Sequence, residues 1–138
     1  MPIRCEIVSQ DRVVFAEDVD MVILPGGGGQ MGVLPNHSPV LTTLQYGIIH
    51  VKKQGEEYYF TVAGGFAEIQ PDQVTVLADA AENVEEINLQ RAEEARRRAE
   101  DLLKQGIPED TDEYLNIQAA LRRSNLRIEA VKRYRRHH

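Results

Sequence analysis

Three observations predict a segregated α+β fold, an antiparallel β-sandwich followed by an antiparallel two-helix hairpin. Nine of the ten glycines and five of the six prolines precede Asn83. Apolar residues alternate with period two before that point and recur at steps of three and four after it. Charge divides in the same way, with a net −7 from Met1 to Val84, −5 from Glu85 to Glu113 and +6 from Tyr114 to His138. Together these place a β domain over residues 1–84 and a helical domain over 85–138.

In the first half the alternating runs are Ile3, Cys5, Ile7; then Val19, Met21, Ile23; then Ile49, Val51; then Val74, Val76, Ala78. Each reads as a short strand with one buried face. Turn chemistry separates them at Ser9-Gln10-Asp11, Pro25 to Gly29, Gln54-Gly55-Glu56 and Pro71-Asp72-Gln73. Such connections are too short for crossover helices, so the expected ladders are antiparallel, folded as a sandwich or flattened barrel.

From Leu89 onward the period is helical. Leu89, Ala92, Ala95, Ala99, Leu102 and Leu103 form a narrow stripe of mostly small side chains, and Gly106-Ile107-Pro108 ends the helix. Asp110, with Glu113 three residues on, is placed to cap a second helix. Its Tyr114, Ile117, Leu121, Ser124, Ile128 and Val131 step alternately by three and four, as the seam of an antiparallel hairpin does. Alanines permit close approach but bury little area, so this hairpin is expected to be weakly held and able to open.

Composition limits the function classes. A chain of 138 residues that is 42% hydrophobic supplies one core and an appendage. The single cysteine, Cys5, excludes an intrachain disulfide or a cysteine-based zinc cluster, and its alternation with Ile3 and Ile7 makes it a core residue. No stretch has the ~20 apolar residues that span a bilayer, and the N-terminus does not read as a signal segment. The net charge of −6 argues against a general nucleic-acid binder. A basic tail on an acidic body fits an element that leans on its own body in one state and on an acidic partner in another.

Gly26 to Gly29 lacks the Gly-Lys-Ser/Thr ending of a phosphate loop and reads as a hairpin turn. His37, between Pro35 and Pro39, reads as a hydrogen-bonded loop residue and His50 as a strand residue. No residue spacing points to a catalytic triad or a metal centre. The arginines carry two readings. Arg91 and Arg98 lie two turns apart, and Arg123 and Arg127 are an i, i+4 pair. On a folded hairpin both pairs can converge on one polyphosphate, which guanidinium forks suit; alternatively they form a solvated face bridging to Glu93, Glu94 and Glu100.

Several stretches in register carry a resemblance. Gly29-Gln30-Met31-Gly32-Val33-Leu34-Pro35-Asn36-His37-Ser38-Pro39, followed by Thr42 and Gly47, resembles the signature of the epsilon subunit of F-type ATP synthases. Val62-Ala63-Gly64-Gly65-Phe66 and Val74-Thr75-Val76-Leu77-Ala78 are similar to that family in order and spacing, and the likeness covers nearly the whole chain.

The resemblance implies a noncatalytic rotor subunit, peripheral on the cytoplasmic face of a bacterial plasma membrane. Its β-sandwich would bind the gamma subunit and the c-subunit ring, with Leu34, Pro35, His37, Pro39, Gly64 and Gly65 shaping the sandwich end that meets them. Its helices would either fold back or extend into the catalytic alpha/beta head and inhibit ATP hydrolysis. Arg122, Arg133 and Arg136 would then meet an acidic loop of the catalytic subunits. No cofactor is required, but some members bind regulatory ATP through Ile/Leu-Asp-x-x-Arg-Ala, which here reads Ile87-Asn88-Leu89-Gln90-Arg91-Ala92. Asn88 replaces the usual aspartate; it caps a helix equally well but lacks the charge. Glu82, Arg98, Arg123 and Arg127 stand where the family's other nucleotide contacts are expected. The rival reading is a freestanding interaction module with no part in a synthase.

Overall fold

The computed structural model describes residues 2–10 and 12–135. The chain divides into two units, Met1–Asn83 and Val84–His138. The first is a sandwich of ten strands: β1 Ile3–Ser9, β2 Arg12–Val19, β3 Met21–Gly26, β4 Gly29–Val33, β5 Val40–Thr43, β6 Tyr46–Lys53, β7 Glu56–Ala63, β8 Gly65–Ile69, β9 Gln73–Ala78 and β10 Ala81–Asn83. One sheet runs β2-β1-β9-β8-β5 and the other β10-β7-β6-β3-β4. Their facing sides bury Ile3, Cys5, Ile7, Leu24, Ile49, Val51, Phe60, Ile69, Val74 and Val76. Phe15 of β2 packs on Phe60 of β7 with ring centroids 5.2 Å apart, joining the two sheets through a tilted aromatic contact. Burial pushes the Cys5 thiol up to about 12, so it stays a neutral core group.

Two strand-level expectations are corrected. The β1–β9 ladder is parallel, with Cys5 opposite Val74 and Ile7 opposite Val76. Short connections forbid parallel pairing only between strands consecutive in sequence; here the whole intervening sandwich is the connection. The run Val19, Met21, Ile23 is not one buried face either. Val19 ends β2, and beyond Asp20 it is Val22 and Leu24 that are buried, while Met21 and Ile23 are only half-buried. The break at Asp20, whose N–H donates to Lys52 O at 2.8 Å and whose Oδ2 accepts from Gln54 N at 2.8 Å, shifts the phase by one residue.

Among the described residues the expected turns hold, with tighter limits; Asp11 of the Ser9-Gln10-Asp11 turn lies outside them. Pro25 and Gly26 belong to β3 and Gly29 to β4, so only Gly27-Gly28 turn, and a strand rather than a helix follows. Gln54 and Gly55 both have positive φ, 51° and 83°, the two-residue geometry that suits the right-handed twist of a hairpin.

The second unit opens with a 3₁₀ turn, Val84–Glu86, followed by α1 Leu89–Lys104 and α2 Asp112–Tyr134. Gly106, at φ 79°, ends α1 and donates to Leu103 O. The α2 cap differs from expectation. Thr111, not Asp110, is the N-cap: its hydroxyl donates to Pro108 O at 2.7 Å and accepts from Tyr114 N at 3.2 Å. This puts Glu113 one position too early to complete a capping box, though with Asp112 it still faces the positive end of the helix dipole. The seam residues Ile117, Ser124, Ile128 and Val131 are buried, with Tyr114 and Leu121 half-buried. On α1 the buried positions are Ala92 and Ala99, and Leu102 lies outside the stripe. The buried Ser124 hydroxyl is satisfied by Ala120 O at 2.8 Å.

Gly65 sits at φ 117°, and a Cβ there would lie 2.3 Å from the Leu77 carbonyl oxygen; at Gly55 a Cβ would meet nothing within 4 Å. Gly65→Ala is therefore expected to cost about 2–4 kcal/mol, from backbone strain and a clash with a fixed strand. Gly55→Ala pays the backbone term alone, about 1–2 kcal/mol. Urea denaturation of the two variants checks this, and equal losses would mean that the Leu77 carbonyl does not exclude a side chain.

Candidate functional site

The backbone leading into α1 is built from a buried anchor, a cap and an exposed cation. Ile87 is buried and Asn88 is the N-cap, its Oδ1 accepting from Arg91 N at 3.0 Å. Because a backbone N–H must meet the oxygen, the outward end of the Asn88 amide is its NH₂. An aspartate in the same cap would turn a second acceptor outward. Asn88 thus keeps the helix start of the motif while replacing one acceptor with a donor. Ala92, buried one turn on, lets α1 approach α2 closely.

Helix phase then decides which arginines meet. Arg91 and Arg98 stand one position before the buried Ala92 and Ala99, and Arg123 and Arg127 one position before the buried Ser124 and Ile128. In right-handed helices packed antiparallel, positions that precede the seam turn to the same side of the pair. The two arginine pairs therefore share one flank, with Arg91, Arg98 and Arg123 exposed and Arg127 half-buried. Glu100 pairs with Arg96 at 3.9 Å, a solvated i, i+4 contact of small energetic weight. Glu82 belongs to the other unit, in β10 opposite Thr61.

One arginine that the spacing did not single out makes contacts across the helical unit. Arg135 follows α2 and sends Nη2 to the carbonyl oxygens of Val84, at 2.7 Å, and Ile87. Its signal was present: the seam steps Ser124, Ile128, Val131 extend by four to Arg135. Of the other basic residues, Arg122 and Arg133 are exposed on α2, and the Arg133 guanidinium lies 5.5 Å from the Tyr134 ring centre. Arg136 lies outside the described residues.

In the β unit the residues expected to meet partners fall into two groups. Leu34 to Pro39 connects β4 to β5, held by Asn36 N donating to Pro71 O at 2.7 Å and by His37 Nδ1 against Ser38 O at 2.7 Å. Leu34 and Pro39 are exposed, Pro35 and His37 half-buried. Gly64 and Gly65 lie at the opposite end of β8, where the Gly65 carbonyl accepts from Leu44 N at 2.9 Å and the Gly64 carbonyl from Asp79 N at 3.1 Å. The loop and the glycines therefore do not form one patch. Between them the outer face of the β2-β1-β9-β8-β5 sheet carries an apolar row that the sequence reading missed. Val13 pairs with Val8, Val8 with Leu77, Leu77 with Phe66 and Phe66 with Thr43, two residues from Leu41. Val13 is 62% exposed, Leu77 43%, Phe66 44% and Leu41 67%. A bulge between Ile7 and Val8 turns Val13 to this face. The available signal was apolar residues on both faces of one strand, as in Phe66-Ala67 and Val76-Leu77.

Among the described residues no helix is long and apolar enough to cross a membrane. The family described as ATP synthase, Delta/Epsilon chain, beta-sandwich domain matches residues 2–84, and ATP synthase, Delta/Epsilon chain, long alpha-helix domain matches residues 85–132. The chain is 43% identical over 132 residues to the ATP synthase epsilon chain of Herpetosiphon aurantiacus, covering 96% of each. It is 41% identical over 141 residues to that of Dehalococcoides mccartyi, covering 98% of this chain and 96% of the relative. Among solved structures it is similar to a chain of the Euglena gracilis mitochondrial ATP synthase, OSCP/F1/c-ring, with a TM-score of 0.77 at 25% identity over 94% of this chain and 81% of that one. It shares the fold of a chain in the Tetrahymena thermophila mitochondrial central stalk/c-ring, with a TM-score of 0.59 at 11% identity over 94% and 96%. With both of its units matched and its relatives covered almost end to end, this chain belongs to the ATP synthase epsilon-chain family.

Proposed function

We propose that the chain is the noncatalytic rotor subunit of a bacterial, proton-translocating F-type ATP synthase, peripheral on the cytoplasmic face of the membrane. The observation that carries this is the match of both units, 2–84 and 85–132, to the two domains of one family. In the proposal the β unit docks on the gamma subunit and the c-subunit ring, and residues 85–138 regulate. The similar Euglena gracilis chain belongs to an OSCP/F1/c-ring assembly, which supports those partners. The exposed row Val13, Leu77, Phe66 and Leu41 supports docking as well, since a soluble domain rarely leaves such a row uncovered. Leu34, Pro35, His37 and Pro39 at one end of β8, and Gly64 and Gly65 at the other, would bound that contact.

The alanine-lined seam supports a hairpin that opens at low cost, and the exposed Arg122 and Arg133 support docking of α2 on an acidic surface of the catalytic alpha/beta head. ATP is the proposed regulatory ligand: Arg91, Arg98, Arg123 and Arg127 share one flank, beside the buried Ile87 and Ala92 and the Asn88 cap. ATP would bind the folded hairpin better than the extended one and so oppose inhibition.

A chain ended after Val84 should fold, assemble with gamma and leave a complex that hydrolyses ATP faster than the full-length assembly; unchanged hydrolysis would remove the inhibitory role. Failure of the full chain to co-purify with alpha, beta and gamma subunits would favour the freestanding module.

Replacing Arg122, Arg133 and Arg136 with glutamate should weaken inhibition without loss of assembly. The effect should be greatest at low salt, where screening is weakest. Inhibition that persists there would rule out electrostatic docking.

Arg91→Ala or Arg127→Ala should each weaken ATP binding by about ten- to hundredfold, roughly 1.5–3 kcal/mol for one charged hydrogen-bond partner. Asn88→Asp should strengthen it, because the adenine amino group then meets an acceptor. Equilibrium dialysis of the isolated chain decides, and no saturable uptake at millimolar ATP would exclude the nucleotide.

A further inference from the structure

We propose that Arg135 is the latch of the helical hairpin: its guanidinium fastens the C-terminal end of α2 to the backbone that leads into α1. The inference rests on the reading of this unit as a regulatory element, and it names the side chain that sets the threshold for opening.

The latch follows from register. The seam steps through Ile117, Leu121, Ser124, Ile128 and Val131, and the next step of four is Arg135. At that level α1 has not begun, since its first residue is Leu89. What stands opposite is the 3₁₀ turn and Ile87, whose carbonyls precede the helix. The Val84 carbonyl accepts a long bond from Ile87 N, at 3.4 Å, which leaves a lone pair for a stronger donor. Arg135 Nη2 supplies that donor to Val84 O at 2.7 Å and also reaches Ile87 O. Such charge-assisted bonds are stronger than neutral ones. The same residue ends α2, its own N–H donating to Val131 O at 3.2 Å, where a positive charge faces the negative end of the helix dipole.

The latch is also built to release. Arg135 Nε is buried with no hydrogen-bond partner among the described residues, and that cost offsets part of what Nη2 gains. The remainder of the seam adds little, because its α1 side is alanine. Moreover, an α2 extended away from α1 carries Arg135 out of reach of the Val84 and Ile87 carbonyls, so docking of the basic tail elsewhere requires release here. The Ile87 carbonyl lies immediately before Asn88, which ties the latch to the segment proposed to receive nucleotide.

Hydrogen exchange on the full chain without nucleotide tests this, comparing wild type, Arg135→Ala and Arg135→Lys. With alanine, amides in the last two turns of α2 and the first turn of α1 should exchange about tenfold faster or more, while β-strand amides keep their rates. Lysine keeps the charge and should restore part of the protection. If the alanine chain does not fold, the lysine chain is read by the same standard, a smaller rise confined to the same two regions. Unchanged exchange there, or an equal rise in the β unit, overturns the latch. In equilibrium dialysis Arg135→Ala should bind ATP about tenfold more weakly; unaltered affinity with raised exchange would overturn the link between latch and nucleotide segment. If the wild-type chain takes up no ATP, the nucleotide reading fails, and the exchange result alone upholds or overturns the latch.

Discussion

Within the β2-β1-β9-β8-β5 sheet a single ladder joins the N-terminal hairpin to everything else, the parallel pairing of β1 with β9. β1 lies between β2 and β9 with Ile3, Cys5 and Ile7 fully buried, so the first strand of the chain waits on the ninth for its second partner. The sandwich cannot close its core until that long-range contact forms, which makes this ladder the entropically expensive step of the fold. Gly65 serves the same sheet from its far side. Only a residue without a side chain lets β8 pass this close to the Leu77 carbonyl.

The helical unit is held by different means. Its seam sets larger residues of α2 against alanines of α1, so apolar burial, which dominates the sandwich, contributes little per turn. Local polar devices make up the difference: Asn88 and Thr111 cap the two helices, Gly106 ends the first, and Arg135 ties the end of the second to the beginning of the unit. A structure that depends on a few exchangeable hydrogen bonds can be opened by a competitor for those bonds. A close-packed core cannot, which suits the β unit to a permanent contact and the helical unit to a regulated one.

The proposed nucleotide site illustrates how fold and chemistry share residues. Ile87 and Ala92 are buried and Asn88 caps, so three residues of the motif have structural duties whether or not ATP binds. The arginines stand beside the packed seam rather than in it, and their common flank is a consequence of the antiparallel packing. The Asn88 side chain shows the limit of such sharing: its oxygen is committed to the helix, which leaves an amide donor where a carboxylate would turn an acceptor.

Much of this was legible in the chain itself. Period-two runs located β1, β6 and β9 because one face of each is buried, and glycine and proline marked the turns because few other residues adopt those backbone angles. The arginine spacing and the motif around Asn88 were legible for the same reason, since neighbours on a helix are near in sequence. Local patterns report which face of an element is buried and leave open what lies against it. The parallel β1–β9 pair, the shifted phase after Asp20 and the apolar row from Val13 to Leu41 were therefore decided by strand neighbours distant in sequence. Thr111 displaced Asp110 as cap because its hydroxyl reached Pro108 and Tyr114 together, a geometry that composition does not encode. Arg135 had its register written in the seam, but only the folded hairpin brought two carbonyls within reach of its guanidinium.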